Sequence, residues 1–247
     1  MSISFERLTP GPERLAHEWL AQLRPHERAP DDRPFLYLNM VASADGRATF
    51  EGRTEGLGSE ADTRLLTELR ALADAVLVGT GTVRAEGYGR MVRNAERIAR
   101  RKAAGLAETP TAVLISRSSE IPWDAGLFAA ADQPVIVYTG GDGPRPDVAA
   151  PLEIVRLEDP TPRAALADLR ARGVRSLLCE GGPTLNSALL EAGVVDELFL
   201  TLSPLLSGEP GALRIVEGAG LPDPAQLTLE WALRHGEELF LRYAVRP

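Results

Sequence analysis

Length and composition place the 247-residue chain among ordinary globular proteins, since hydrophobic residues make up 44% of it and charged residues 25%. Its net charge of −8 argues against general nucleic-acid binding, which depends on basic surfaces that neutralise phosphates. No apolar run approaches the ~20 residues of a membrane span, and the single cysteine, Cys179, excludes an intrachain disulfide and a cysteine metal cluster, so we expect no metal site.

The first 34 residues are predicted to be a peripheral extension and linker. They begin without the apolar core of a signal peptide, so we expect a cytoplasmic protein. Residues 12–23 can form a short helix whose apolar side consists of Leu15, Trp19, Leu20 and Leu23. Residues 24–34 are charged and proline-rich, which favours a linker.

Two apolar runs in the first half of the chain predict strands that end in turns. The run that begins at Phe35 predicts a central strand, and Asp45-Gly46 predicts a turn after it. Residues 75–78 predict a second strand, which leads directly into the glycine-rich segment 79–83.

Helical patterns lie between the predicted strands. Ser59 followed by Asp62 is typical of a helix start, and residues 93–102 form a basic stretch that we interpret as a solvated helix face. Thr161-Pro162 predicts a helix that continues to about residue 172. Pro183 can occupy the first position of another helix, where its missing N–H group has no consequence.

The later strands complete an alternating pattern. Five further apolar runs predict strands at residues 111–116, 135–139, 152–157, 176–179 and 195–202. The tail alternates apolar and polar residues on both sides of Arg234-His235-Gly236, which predicts a hairpin. The sequence therefore predicts one α/β domain with a mostly parallel sheet and an antiparallel edge.

Polar or glycine-rich exits follow several predicted strands, and open α/β sheets bind ligands where their strands end. These exits are Asp45-Gly46, residues 79–82, Ser116-Arg117, Thr139-Gly140 and residues 180–182. The last of them precedes a helix, where free N–H groups and the helix dipole favour an anion such as phosphate. The same glycine turn can also serve only to connect two elements.

Four stretches together resemble the reductase domain of bacterial riboflavin biosynthesis. In order they are NMVASADGRA, LRALADAVLVGTGTV, AVLISRS and LLCEGGPTLNSALLEAGVVDELFL, and the resemblance covers residues 35–245. It implies a dihydrofolate-reductase-like three-layer sandwich, with residues 1–34 as an extension and residues 35–247 as the reductase domain. It also implies NADPH as hydride donor to the sugar carbon of a phosphoribosylamino-pyrimidine, and a homodimer.

The resemblance assigns expected roles to individual residues. The expected cofactor-binding residues are Gly79, Thr80, Gly81, Thr82, Ser116, Arg117, Thr139, Glu180, Gly181, Gly182, Pro183 and Thr184. Asp45 and Glu86 are expected near the reacting carbon. The expected substrate-binding residues are Asn39, Ser43, Arg47, Arg70 and Arg90. The arginines enter this set because a sugar phosphate needs positive charge in an acidic protein.

The chain departs from the family pattern at one loop. Where the riboflavin reductases usually carry two aspartates and a proline, this chain reads Glu86-Gly87-Tyr88. The deaminase motifs of two-domain relatives are also absent from the sequence. Two alternatives therefore stay open: reduction of a pterin in the same fold, with Asp45 or Glu86 on the ring, and an NADPH sensor without turnover. An open pocket beside the nicotinamide would favour an enzyme over a sensor.

Overall fold

Nine strands form one sheet in the described part of the chain, which in this computed structural model comprises residues 13–118, 120–143 and 146–246. In chain order they are β1 (Phe35–Ser43), β2 (Ala75–Leu77), β3 (Thr111–Ser116), β4 (Val135–Thr139), β5 (Leu152–Arg156), β6 (Ser176–Cys179), β7 (Glu197–Ser203), β8 (Gln226–His235) and β9 (Glu238–Arg246). Their order across the sheet is β5-β4-β3-β2-β6-β1-β7-β9-β8. Neighbours from β5 to β7 are parallel, whereas β9 runs antiparallel to β7 and β8, which confirms the predicted sheet.

Strand β6 separates β1 from β2, although β1 and β2 are consecutive along the chain. The register aligns Cys179 of β6 with Leu38 of β1 on one side and with Leu77 of β2 on the other. The carboxyl ends of β2 and β6 therefore lie together, and β1 runs past them for five more residues, to Ser43. A change of strand order of this kind opens a crevice outside the carboxyl ends of a parallel sheet, where ligands bind.

Helices cover both faces of the sheet and give three layers. They are α1 (Ala16–Leu20), α2 (Glu60–Leu72), α3 (Thr80–Ala85), α4 (Ala95–Ala103), α5 (Gly126–Ala129), α6 (Pro162–Ala171) and α7 (Pro183–Glu191), with a 3-10 turn at Pro25–Glu27. Because side chains alternate along a strand, β1 contributes to two buried clusters. Tyr37 joins the cluster that contains Leu69 of α2, and Leu38 joins the one that contains Leu166 of α6.

Side-chain caps start two helices where the sequence predicts them. Ser59 Oγ accepts hydrogen bonds from N–H groups at the start of α2, and Thr161 Oγ1 accepts one from α6. The segment after β2 differs from its interpretation as a plain strand exit. It begins helix α3 at Thr80, with Gly79 as the N-cap, and the buried Val83 anchors that short helix in the core.

The basic stretch 93–102 is only partly solvated, which corrects its interpretation as a solvated helix face. Arg101 is 1% exposed, and its guanidinium donates hydrogen bonds to the carbonyl oxygens of Ala73 at 2.7 Å, Ala71 at 3.2 Å and Ala107 at 2.7 Å. Burial lowers the pKa of Arg101 to about 10. This side chain satisfies carbonyl groups at the end of α2, a long-range role that a basic run does not reveal.

The N-terminal segment packs against the sheet. Helix α1 is shorter than the predicted helix over residues 12–23, whose first residue, Pro12, lies outside the described residues. Leu20 and Leu23 are buried in the core beside α2. The predicted linker also carries an ion pair at its end, because Arg33 binds Asp196 through two hydrogen bonds of 2.6 and 2.8 Å.

The C-terminal hairpin forms the exposed edge of the sheet. Strands β8 and β9 are joined at Gly236, as the sequence predicts. Outermost strand β8 leaves Leu227 and Leu229 45% and 44% exposed. None of the helices in the described ranges has the length and apolar character needed to cross a bilayer.

Candidate active site

Two cavities meet at the carboxyl edge of the sheet, where β2 and β6 end and β1 runs past them. The larger has a volume of about 910 Å³ and the smaller about 540 Å³. The residues that line both are Met40, Thr54, Thr82, Glu86 and Glu180. Because these residues are shared, molecules held in the two cavities can touch, as a transfer reaction between two ligands requires.

The larger cavity is built from the ends of three neighbouring strands. The start of α3 contributes residues 79–82, β3 contributes Ser116 and Arg117, and the start of α7 contributes residues 182–184. Of the predicted cofactor residues, all except Thr139 and Gly181 line this cavity. The structure therefore brings together strand exits that lie up to about a hundred residues apart in sequence.

Glycine is required where the exits of β2 and β6 approach each other. A Cβ atom on Gly79 would lie 3.0 Å from the Gly182 backbone nitrogen, and one on Gly182 would lie 2.7 Å from Thr82 Oγ1. The Gly79 N–H group donates a hydrogen bond of 2.6 Å to the Gly181 carbonyl oxygen. Gly181 has a φ of +80°, a conformation that favours glycine. The result is a side-chain-free cradle beside the N-terminus of α7.

A buried ion pair lies where the cavities meet. Arg70 Nε and Nη2 donate to the two carboxylate oxygens of Glu180 at 2.6 and 2.7 Å, and the Tyr88 hydroxyl donates to Glu180 Oε2 at 2.7 Å. Burial opposes the charge of Arg70, but the Glu180 carboxylate outweighs it and raises the pKa of Arg70. Burial, reinforced by Glu180, raises the pKa of Tyr88. Glu180 is thus held in place by two partners.

Four arginines line the smaller cavity. They are Arg70, Arg90, Arg93 and Arg97. Arg90 Nη1 lies 2.7 Å from an Asp132 carboxylate oxygen, and Arg97 Nε lies 2.9 Å from Glu68. Across residues 13–118, 120–143 and 146–246, no carboxylate forms an ion pair with Arg93. The cavity therefore holds an excess of positive charge on the side of α4.

Arg93 and Arg97 line the smaller cavity, although a basic stretch favours a solvated helix face and does not predict them as site residues. Asp62 is a further lining residue, which the sequence predicts only as part of a helix start. The Asp62 carboxylate lines the smaller cavity and accepts a hydrogen bond of 2.7 Å from Thr201 Oγ1. Burial raises the pKa of Asp62, and the hydrogen bond from Thr201 opposes this shift. The basic run is the sequence feature that could have indicated Arg93 and Arg97 as site residues. No comparable sequence feature indicates Asp62.

Glu86 and Asn39, both expected at the site, line the smaller cavity. Glu86 also lines the larger one, and its carboxylate accepts a hydrogen bond of 2.9 Å from the Thr54 N–H group. Asn39 is 8% exposed, and its Oδ1 atom has no hydrogen-bond partner in the part of the chain that the structure describes. An unmatched buried amide at a cavity wall is suited to a polar ligand.

Asp45, Ser43, Arg47, Thr139 and Gly181 are not brought into either cavity. Asp45 is exposed and fixes the loop after β7, accepting hydrogen bonds from Ser43 Oγ at 2.6 Å and from the N–H groups of Ser207 and Gly208 at 3.0 and 2.9 Å. These hydrogen bonds lower the pKa of Asp45 to about 2. Asp45 is therefore an ionised residue that holds the loop after β7 in place. This position differs from the expected one beside the reacting carbon.

Comparison with known proteins identifies the family. The model of the RibD C-terminal domain matches residues 34–241. The 2,5-diamino-6-ribosylamino-4(3H)-pyrimidinone 5′-phosphate reductase of Archaeoglobus fulgidus is 29% identical over 192 residues, which cover 75% of this chain and 87% of that protein.

Two solved structures carry the same fold. A pyrimidine reductase-like protein from Corynebacterium diphtheriae superposes with a TM-score of 0.80 at 24% identity, over 95% of this chain and 100% of that one. The deaminase/5-amino-6-(5-phosphoribosylamino)uracil reductase of Thermotoga maritima gives 0.69 at 21% identity, over 87% of this chain and 57% of that one. These likenesses confirm the predicted dihydrofolate-reductase-like fold.

Proposed function

The chain belongs to the RibD C-terminal domain family, and we propose that it uses NADPH to reduce a ribosylamino-pyrimidine 5′-phosphate. The observation that carries this proposal is the junction of two cavities at Thr82, Glu86 and Glu180. A cofactor in the larger cavity and a substrate in the smaller one would meet there. The smaller cavity is open beside the junction, which favours an enzyme over a sensor.

The larger cavity fits a dinucleotide. The cradle at Gly79 and Gly182 admits a pyrophosphate close to the backbone, and the N-terminus of α7 attracts negative charge. Arg117 lines the cavity next to Ser116, and its guanidinium can bind the 2′-phosphate that distinguishes NADPH from NADH. When bound, NADPH would supply the hydride.

The smaller cavity fits a phosphorylated substrate. Arg93, with Arg90 and Arg97 beside it, can bind the 5′-phosphate through charge-assisted hydrogen bonds. The junction would then receive the sugar carbon. Glu180, which accepts hydrogen bonds from Arg70 and Tyr88, lines that junction at the end of β6.

The reduction adds hydride to the sugar carbon of an open-chain imine, and the adjacent nitrogen gains a proton. Glu86, like Glu180, lines both cavities, and its carboxyl group can hold a water or deliver a proton at that nitrogen. The Thr54 N–H group orients the Glu86 carboxylate at 2.9 Å. Met40 covers the junction from β1 and helps to exclude bulk water from it.

The direct test measures NADPH oxidation by the purified chain with a ribosylamino-pyrimidine 5′-phosphate as substrate. We expect turnover, with the reduced ribityl product identified by mass spectrometry. In a second arm, the chain is expressed in strains that lack either the riboflavin-pathway reductase or the folate reductase. Rescue of the first strain alone supports the proposal, whereas rescue of the second alone would replace it with pterin reduction.

The preference for NADPH over NADH should depend on Arg117. In the unmutated protein we expect NADPH to bind more tightly, and Arg117→Ala should remove most of the difference, because a charge-assisted contact contributes about 1.5–3 kcal/mol. Calorimetric titration with both cofactors measures this. Arg84→Ala, which removes an exposed arginine of α3 outside the cavity lining, is the matched control. Equal affinities for the two cofactors in the unmutated protein would contradict the role of Arg117.

We also propose that the chain forms a homodimer through its exposed sheet edge. Strand β8 is the outermost strand, with Leu227 and Leu229 nearly half exposed. An uncovered edge strand with apolar side chains favours pairing with another strand. The same edge of a second copy of the chain would cover both leucines.

A further inference from the structure

We propose that Tyr88 is a positioning residue of the reduction, which directs the substrate to one of the two carboxylate oxygens of Glu180. This inference rests on the proposed reductase function and adds to it a residue that acts through Glu180. Tyr88 belongs to the Glu86-Gly87-Tyr88 segment, at which the chain departs from the family pattern. Tyr88 and Glu180 both line the smaller cavity, and Glu180 also lines the larger one.

The two oxygens of the Glu180 carboxylate differ in their hydrogen-bond partners. Among the described residues, Oε1 accepts one hydrogen bond, from Arg70 Nε at 2.6 Å. Oε2 accepts two, from Arg70 Nη2 at 2.7 Å and from the Tyr88 hydroxyl at 2.7 Å. A carboxylate can accept about four hydrogen bonds, about two on each oxygen. The Tyr88 hydroxyl therefore completes Oε2 and leaves the unused acceptor position on Oε1.

The Tyr88 hydroxyl keeps its proton at neutral pH. Burial raises the pKa of Tyr88, the negative charge of Glu180 raises it further, and the positive charge of Arg70 opposes the shift. Because this pKa lies well above neutral pH, Tyr88 acts toward Glu180 as a hydrogen-bond donor. It holds the carboxylate in place and does not supply the proton that the reduction consumes.

The neighbours of Tyr88 hold its ring and its backbone in place. The ring packs against the buried cluster that contains Val83, and its centroid lies 5.5 Å from the guanidinium carbon of Arg70. A Cβ atom on Gly126 would lie 2.9 Å from the Tyr88 carbonyl oxygen, a close approach that glycine permits. The hydroxyl is therefore directed at Glu180 before a substrate binds, as preorganised polar groups of active sites are.

A completed Oε2 limits how a substrate can bind where the two cavities meet. A substrate group that donates to Glu180 finds its acceptor on Oε1, which fixes one position of the sugar relative to the cofactor. Without the Tyr88 hydroxyl, Oε2 can accept the same donor, and the substrate can bind in a second position with its sugar carbon displaced. A displacement of about 1 Å can reduce a rate by about 100-fold. Tyr88 thus makes the two oxygens of Glu180 unequal toward the substrate.

The test replaces Tyr88 by phenylalanine, which keeps the ring and removes the hydroxyl. Kinetics with NADPH and a ribosylamino-pyrimidine 5′-phosphate should show kcat reduced at least about tenfold, with KM for the pyrimidine unchanged or lower, because binding in the second position is unproductive. Calorimetric titration should give an NADPH affinity within about twofold of that of the unmutated protein, since Tyr88 does not line the larger cavity.

Tyr138→Phe is the matched control. The Tyr138 hydroxyl donates to Asp168 Oδ2 at 2.7 Å, the same distance as between Tyr88 and Glu180, and neither Tyr138 nor Asp168 lines the two cavities. Tyr88→Phe and Tyr138→Phe lose the same kind of hydrogen bond, so they should lose melting temperature to a similar extent. Tyr138→Phe should keep kcat and KM within about twofold of the unmutated values.

A double-mutant cycle tests whether Tyr88 acts through Glu180. Glu180→Gln alone should lower kcat, because it removes the carboxylate from the junction of the cavities. Its amide carries one oxygen and one NH2 group, so the two positions are unequal whether or not Tyr88 has its hydroxyl. Adding Tyr88→Phe to Glu180→Gln should therefore change kcat by less than about twofold.

An unchanged kcat in Tyr88→Phe would overturn this inference and leave the reductase function intact. A rise in KM, together with a greater loss of melting temperature than in Tyr138→Phe, would indicate a structural role and would also overturn it. So would an equal loss of kcat from Tyr88→Phe in the presence and in the absence of Glu180→Gln. If the unmutated protein reduces no ribosylamino-pyrimidine, the proposed function fails and this inference fails with it.

Discussion

Gly182→Val is expected to abolish NADPH binding, while the ligand-free protein keeps nearly all of its melting temperature. Gly182 has a φ of −79° and a ψ of −174°, an extended backbone that valine adopts readily. Its side chain would enter the cradle beside Thr82, where a Cβ atom lies 2.7 Å from Oγ1, and its methyl groups would occupy the pyrophosphate position. We expect at least a 100-fold loss of affinity and about 1 kcal/mol of destabilisation from the crowding.

Calorimetric titration with NADPH and a thermal melt of the ligand-free protein measure the two effects. Gly79→Val is the informative comparison, because a Cβ atom there would press on the Gly182 backbone nitrogen at 3.0 Å, which has little freedom to move. That variant should lose both cofactor binding and stability. If Gly182→Val binds NADPH with unchanged affinity, the glycine turn only connects β6 to α7.

Arg70→Met should destabilise the fold strongly and remove reductase activity. The Arg70 and Glu180 side chains are 17% and 3% exposed, so the substitution would leave a buried carboxylate whose remaining side-chain partner among the described residues is Tyr88. Loss of one member of a buried ion pair lowers the free energy of unfolding by about 3–5 kcal/mol. Urea denaturation and an NADPH oxidation assay would measure both losses.

The double variant Arg70→Met/Glu180→Gln provides the control for that experiment. It removes both charges, so most of the lost stability should return, because the penalty comes from an unpaired buried charge. Activity should stay low, since the junction of the two cavities would lack the Glu180 carboxylate that Arg70 holds in place. If Arg70→Met alone is as stable as the double variant, the ion pair does not have the role described.

Local signals in the sequence were sufficient for much of the fold. The apolar run at Phe35, the Ser59 cap and the glycine turn before Pro183 each depend on residues close together in the chain, and each was found where predicted. The carboxyl-edge rule for parallel sheets then gathers distant strand exits into one place without knowledge of any single contact. For this reason the larger cavity could be anticipated better than the smaller one.

The smaller cavity depends on contacts between distant parts of the chain. Asp62 belongs to it because Thr201, from a strand more than a hundred residues later, lies under the first turn of α2. Arg101 is buried because its helix packs against the end of α2. Asp45 lies outside both cavities, because its carboxylate accepts a hydrogen bond from the Ser207 N–H group in the loop after β7. None of these partners is visible from local sequence.

The position of β6 between β1 and β2 bears on how the chain folds as it is synthesised. Strand β2 ends at Leu77 and β6 begins at Ser176, so the ribosome must add about 100 residues before the gap in the sheet can be filled. At ~5–20 residues per second this interval lasts about 5–20 s. Until then, the backbone N–H and C=O groups of β1 and β2 that pair with β6 in the folded protein lack that partner, and pairings of this sequence separation form slowly. A nascent chain stalled before residue 176 should therefore bind chaperones, and one extended past β7 should release them.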